Sequence, residues 1–221
     1  MQSTLLKTKV AVIGCGGQGG YIIEYLARLG VKEIVFWDGD KFEESNLNRQ
    51  IGCTTKTIGR SKAIVMKERI EEVNPSIQFL WYDWYFGEHG VSDTIRALQS
   101  DIVINAADTN FNGEQLRACL RDVILGGVPV IECPAGIIGG FVSIETLDSI
   151  EHFDYQTNVC LTADKSILCS QPAYKCALMA AEAVNQMVQY LNNSRFASTG
   201  SVLEIDIYHH RYREHDKFGA F

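Results

Sequence analysis

Several short stretches of the chain hold side chains that could do chemistry together. Gly14, Gly16 and Gly19 stand in a G-x-G-x-x-G pattern within GCGGQG. Glycines so spaced permit a tight turn and let a ligand approach the backbone. A helix that follows presents free N–H groups and a partial positive charge to a phosphate. Asp38 lies about twenty residues on, where a carboxylate can accept hydrogen bonds from ribose hydroxyls. Arg49 offers a planar fork to phosphate oxygens, and Lys62, thirteen residues later, a point charge. Asn46 and Gln50 can orient phosphate or hydroxyl groups. Asp108 is a carboxylate suited to Mg²⁺, which binds through one or two carboxylates plus phosphate oxygens. The chemistry these residues share is that of a nucleotide polyphosphate. Blander readings stand beside it: a packing turn at the glycines, Arg49 paired to Glu43 or Glu44 on a solvated loop, and Asp108 capping the next helix.

These residues need elements to position them. KVAVIG (9–14) reads as a buried strand running into the glycines. The helix after it carries Ile22, Ile23, Leu26 and Leu29 on one stripe and stops at Gly30. Strands follow at 33–38, 77–82, 101–107 and 128–133, separated by helices at 61–75, 92–100 and 112–125. Strands alternating with helices predict an α/β, Rossmann-like, doubly wound and mostly parallel sheet with helices on both faces. Ligands then sit at the carboxyl ends of the strands, where Gly14, Asp38 and Asp108 fall. Past Cys133 the pattern changes to a strand near 140–147, a polar stretch from Asp148 to Gln171 read as a loop, a strong helix over 173–191, and a last strand at 202–210 as an antiparallel extension. The economical organisation is one domain over 1–221, with a nucleotide-binding core at 8–135 and a crossover loop, late helix and final strand at 136–221.

Composition narrows the class. The net charge is −7, from 20 basic and 27 acidic groups, which argues against nucleic acid as a partner. No stretch approaches the roughly 18 consecutive apolar residues of a membrane span, and no secretory leader is evident, so a cytoplasmic location is expected. Seven cysteines form no C-x-x-C pair, as suits reduced, mostly buried thiols. Cys176 inside the late helix reads as core, and Cys15 as a small spacer. WYDWYF (81–86) is unusually aromatic and reads as core packing, narrowly ahead of a pocket lining or a dimer interface. His209 and His210, with Arg211, Arg213 and His215 nearby, read as an exposed polar tail ahead of a metal pair.

GCGGQG, Asp38, SNLNRQ (45–50), IGRSKA (58–63), NP (74–75) and AADTN (106–110) together resemble the ThiF/MoeB superfamily of ATP-dependent adenylating enzymes, which includes the ubiquitin-activating enzymes. The resemblance implies that Gly14, Gly16 and Gly19 form the nucleotide loop and that Asp38 holds the ribose. Asn46, Arg49, Gln50 and Lys62 would surround the phosphates of ATP, and Asp108 would bind Mg²⁺. The implied reaction joins a carboxylate to the α-phosphorus of ATP, giving an acyl-adenylate and pyrophosphate. The acceptor would be the C-terminus of a ubiquitin-like sulfur carrier protein or a small-molecule carboxylate such as a cofactor precursor. A homodimer is expected on the same ground.

The chain departs from the superfamily in three places. The two C-x-x-C pairs that hold a structural zinc in many members are absent, so no zinc is expected. No arginine precedes the first strand, where some members donate one to the partner's triphosphate. Cys160 and Cys169 are candidates for the nucleophile that some members use, although adenylation without a covalent cysteine step is the simpler expectation. Two other classes remain: an NAD(P)-dependent oxidoreductase, which explains the glycines and Asp38 but not Arg49, Lys62 or Asp108, and a non-catalytic nucleotide-binding partner.

Overall fold

Five short apolar segments supply the parallel half of one sheet. They are β1 (Lys9–Ile13), β2 (Glu33–Trp37), β3 (Gln78–Tyr82), β4 (Ile102–Asn105) and β5 (Val130–Glu132). β6 (Gly139–Glu145), β7 (Ser201–Asp206) and β8 (Arg211–Asp216) extend it antiparallel, in the order β3-β2-β1-β4-β5-β6-β7-β8. The computed structural model describes residues 1–107, 113–134, 139–152, 172–194, 197, 199, 201–207 and 209–216. Among these the helices are α1 (Gln2–Leu5), α2 (Gly19–Leu29), α3 (Lys62–Val73), α4 (Val91–Ala97), α5 (Gly113–Leu125) and α6 (Ala173–Leu191).

Both faces of the sheet are covered, as a parallel sheet requires. On one, Val10, Val12, Ile34, Phe36, Ile104 and Ile131 pack beneath α2, α3 and α6. On the other, Ala11, Val35, Trp37, Val103 and Val130 pack against Ala97 of α4 and Leu116, Leu120 and Val123 of α5. Each fully buried aliphatic side chain contributes roughly 1.5–3 kcal/mol of transfer free energy. α2 is held by the stripe the sequence predicts: Ile22, Ile23 and Leu26 are fully buried, and Gly30 closes the helix in the left-handed region at φ 71°. Ser61 caps α3, its Oγ accepting from the Ile64 N–H at 3.4 Å.

β1 pairs with β2 on one side and β4 on the other. The chain leaves β1 toward β2 and returns from β3 to β4 across the sheet, so the strand order reverses at β1. A crevice opens at the carboxyl ends there, and such switch points are where ligands bind in open α/β sheets.

The C-terminal part corrects two expectations. The strand expected over 202–210 ends at Asp206, and the residues read as a polar tail turn back as β8, with Ser201 opposite Asp216 and Asp206 opposite Arg211. His210 turns the hairpin at φ 55°. His209 pairs with Asp206 and His215 with Glu204, each at 2.7 Å, across or next to the hairpin. A strand of charged residues carries no hydrophobic period, and its partner strand supplies what holds it. The polar stretch from Asp148 begins inside a 3-10 helix at Leu147–His152, and the rest of it lies outside the described residues. No helix among the described residues is long and apolar enough to cross a membrane.

Candidate functional site

The glycine loop leaves β1 at the crevice. Gly14 donates its N–H to the Trp37 carbonyl at 2.8 Å and takes φ 92°, which favours glycine. A Cβ on Gly14 would lie 2.9 Å from the Ala106 carbonyl oxygen, and one on Gly19 would lie 1.9 Å from the oxygen of Gly14. Both glycines are therefore demanded by the protein's own packing. Gly16 differs: its nearest non-neighbour is Gln50 Nε2, 3.7 Å from an added Cβ, an ordinary contact. The protein itself does not require glycine there, whereas a ligand seated against the loop would.

Asp38 continues β2 into the same crevice and is buried. Its Oδ2 accepts from the Cys15 N–H at 2.6 Å and its Oδ1 from the Asp40 N–H at 2.8 Å. Burial pushes its pKa above the usual carboxylate value, while the Lys62 charge and the two N–H groups pull the other way. Two carboxylate oxygens have about four acceptor positions. Capacity for hydroxyl donors is left.

Lys62 reaches this point through local pairing. The Lys41–Ser61 bridge, with Phe42 N–H on the Arg60 carbonyl and Lys62 N–H on the Asp40 carbonyl, zips 40–42 against 59–62. Lys62 is the first residue of α3 and is buried. Its Nζ lies 2.8 Å from Asp40 Oδ2, and Asp40 Oδ1 accepts the Tyr85 hydroxyl. That hydrogen bond, with burial behind it, pushes the Tyr85 phenol up to about 12. Asp40 is held below the usual carboxylate range: burial acts to raise it, but Lys62 and Tyr85 outweigh burial. Asp40 carries no sequence signal of its own, and Tyr85, which falls within WYDWYF, is half-buried and bonded to Asp40 where core packing was expected. Asp40 is about half exposed, and only the bridge between two distant segments brings Lys62 to it.

Residues 45–50 form the wall facing the glycine loop. Glu44–Asn46 is a 3-10 turn closed by a capping box, in which Asn46 Oδ1 accepts the Glu43 N–H at 3.1 Å. Asn46 thus has a local structural role already. Arg49 donates from Nη1 to the Ser45 carbonyl at 2.8 Å and to Asn48 Oδ1 at 2.9 Å, and its stem lies against Gly17. Among the described residues its guanidinium has no carboxylate partner, so the pairing with Glu43 or Glu44 does not form. Gln50 is buried with its Oε1 unsatisfied, and Gln18 Nε2 in the loop is likewise buried and unsatisfied. Buried polar atoms without partners are costly and uncommon. Gln50, beside Gly16 at a position free of steric demand, fits an oxygen- and nitrogen-rich ligand such as a nucleotide, whereas the Gln18 amide turns toward Cys133.

α6 supports the loop from behind. A Cβ on Gly17 would meet Cys176 Sγ at 3.0 Å, and Cys176 is fully buried, its thiol pushed up by burial against the pull of Arg49 and Lys175. The core reading of Cys176 holds, and its neighbour is the glycine loop. Cys15 is also buried, with its pKa raised by burial. Across the crevice, Asn105 at the end of β4 donates to Glu132 Oε2 at 2.9 Å and accepts the Ala107 N–H at 3.2 Å. The aromatic stretch packs as core at the crevice edge: Trp37 stacks on Tyr82 with centroids 5.1 Å apart, and Phe86 meets Trp37 edge-on. Asp108, Cys160 and Cys169 lie outside the described residues.

The structure thus brings together Gly14, Gly16, Gly19, Asp38, Asn46, Arg49, Gln50 and Lys62 at the carboxyl ends of β1 and β2. The model of the ThiF family matches residues 1–219. The chain belongs to the ThiF family. Relatives include the sulfur carrier protein ThiS adenylyltransferase of Escherichia coli, 31% identical over 145 residues, covering 66% of this chain and 56% of the relative. The tRNA threonylcarbamoyladenosine dehydratase of Bacillus subtilis is 35% identical over 124 residues, covering 55% of this chain and 48% of the relative. This ThiF-family chain spans about half the length of the curated relatives it matches. Among solved structures, Escherichia coli MccB with ATP superposes at a TM-score of 0.79 and 20% identity, over 98% of this chain and 65% of MccB. PaaA superposes at 0.76 and 22%, over 99% of this chain and 67% of PaaA. These likenesses show the ThiF-family fold and bear out the mostly parallel sheet with an antiparallel extension.

Proposed function

We propose that the protein is an ATP-dependent adenylyltransferase that activates a carboxylate as an acyl-adenylate. The observation that carries this reading is the convergence, at the carboxyl ends of β1 and β2, of a glycine loop whose Gly16 the protein's own packing does not require, a ribose-ready carboxylate (Asp38), a buried lysine (Lys62), an arginine without a carboxylate partner among the described residues (Arg49) and the unsatisfied amide oxygen of Gln50. An oxidoreductase reading accounts for the glycines and Asp38 but leaves the placing of Arg49 and Lys62 beside the loop unexplained.

In this reading an oxygen of the acceptor carboxylate forms a bond to the α-phosphorus while the bond from that phosphorus to the bridging oxygen breaks, and pyrophosphate leaves with the electron pair. The acceptor is already ionised at neutral pH, so no side-chain base is required. The barrier is repulsion between anions and their misalignment. Arg49 and Lys62 offset charge on the phosphoryl oxygens, and the rigid loop fixes the nucleotide. Magnesium, with Asp108 as a ligand, would add further neutralisation.

The acceptor in this proposal is the C-terminus of a ubiquitin-like sulfur carrier or a small-molecule carboxylate. Relatives named as ThiS adenylyltransferases support the first. The net charge of −7 weighs against a tRNA acceptor of the kind named for the dehydratase relatives. The homodimer stays part of this family-based reading, checked by sedimentation. So does the cytoplasmic location.

The test is ATP–pyrophosphate exchange with Mg²⁺ across a panel of sulfur carriers and small carboxylates. Arg49→Ala and Lys62→Ala should each lower the exchange rate by about 10²-fold or more. Absence of exchange with every acceptor, together with tight NADH and no ATP binding by calorimetry, would replace this reading with the oxidoreductase one. Exchange and cellular function both indifferent to Arg49→Ala and Lys62→Ala would instead point to a non-catalytic partner.

A further inference from the structure

We propose that Asp40 and Tyr85 are positioning residues for Lys62: a Tyr85–Asp40–Lys62 chain fixes the ammonium where it meets the phosphates. This rests on the reading of Lys62 as a phosphate-binding residue.

A lysine ammonium sits on a flexible four-carbon stem. Anchored only at the start of α3, its ammonium would sample many positions, and alignment within the site would be lost. In the structure both ends are fixed. The backbone N–H of Lys62 is bound to the Asp40 carbonyl at 2.9 Å, and its Nζ to Asp40 Oδ2 at 2.8 Å. An ammonium has three N–H donors, so two remain for anionic oxygens.

Asp40 itself is poorly confined, with 47% of its side chain exposed. An ion pair with one partner so exposed contributes little to stability. Stability therefore does not account for an arrangement that buries a lysine beside a second carboxylate, Asp38. What confines Asp40 is Tyr85, whose hydroxyl takes the remaining oxygen. Tyr85 reaches it by packing against Gly39: a Cβ on Gly39 would come within 2.8 Å of the Tyr85 ring and 3.0 Å of its backbone nitrogen. Gly39 has no positive φ to explain it. The close approach of Tyr85 does. Residues from two loops, one after β2 and one after β3, thus converge on a single ammonium.

The experiment combines kinetics with a measurement that needs no turnover. Asp40→Asn should lower kcat of ATP–pyrophosphate exchange by about 30- to 100-fold, a smaller increase in ATP KM accompanying it. Tyr85→Phe should lower kcat by about 3- to 10-fold, Gly39→Ala should mimic Tyr85→Phe, and Asp40→Glu should recover part of the loss. Adding Tyr85→Phe to Asp40→Asn should cost nothing more, and neither change should matter in a Lys62→Ala background, because all act through one group. Acylation of the Lys62 amine by acetic anhydride, followed by mass spectrometry of the ligand-free protein, should be slowest in the parent and faster in Tyr85→Phe and Asp40→Asn. Parental kcat and parental Lys62 acylation in both variants would overturn the proposal, as would additive losses. If the parent shows no exchange at all, the adenylation reading fails while Lys62 acylation, with and without ATP, still decides the positioning.

Discussion

Glu132 ends β5 with one carboxylate oxygen on Asn105 and the other unsatisfied. Burial pushes its pKa up to about 7; the Asn105 bond and Arg117 oppose that shift, and Glu145 adds to it. An acid whose pKa is raised on folding favours the folded state while protonated. Its contribution is fully present below its ordinary value and is lost as pH rises through about 7. Glu132→Gln keeps a polar amide in place and removes the titration. Relative to the parent, the variant should therefore gain on the order of 2–3 kcal/mol between pH 4.5 and pH 8, read from urea unfolding at the two ends. An unchanged difference would mean that the native carboxyl is ionised throughout. At this scale the sequence was only partly legible. Lys62 and Arg49 stand out as cations within a motif, and Tyr85 lies in a conspicuous aromatic stretch, but nothing local gives the partners of Asp40, Tyr85 or Glu132, which lie 22, 45 and 27 residues away.

The strand–loop–helix of β1, the glycines and α2 separates two uses of glycine, and substitutions should separate them too. Gly19→Ala drives a methyl into the Gly14 carbonyl and should cost on the order of 3 kcal/mol or prevent folding. Gly16→Ala meets nothing closer than 3.7 Å, so calorimetric Tm should hold within a few degrees while affinity for ATP–Mg²⁺ falls by about tenfold or more. ATP affinity untouched by Gly16→Ala would mean that the nucleotide does not approach the loop there. This element was the most legible part of the chain, since a period of 3.6 between two glycine signals has few competing readings. α1, four residues without a period, and β8, charged along its length, were not legible as elements. β8 exists because β7 offers a ladder of backbone donors and acceptors, and that is a property of the partner.

At the scale of the molecule, α6 ties the C-terminal part to the N-terminal part by packing on α2 in the same core, with Met179, Ala183 and Met187 fully buried. The single-domain reading then makes a definite statement. Met187→Ala should destabilise by about 2–5 kcal/mol. Its fluorescence transition, reported by Trp37, Trp81 and Trp84 at the β2–β3 end, should coincide with that of far-UV circular dichroism in urea. Transitions that separate would divide the chain into two folding units. The doubly wound order was legible because alternation of strand and helix has few solutions. The position of α6 was not, because a helix stripe declares that it is buried without saying against what. That position also bears on synthesis. The glycine loop begins at residue 14, yet its backing comes from Ala106 and from Cys176. On a ribosome, the first strand and its glycines emerge long before either support. A nascent chain should thus be unable to hold nucleotide until residue 176 and the rest of its helix are free to dock, so ligand would arrive as the closing event of folding and could not template it.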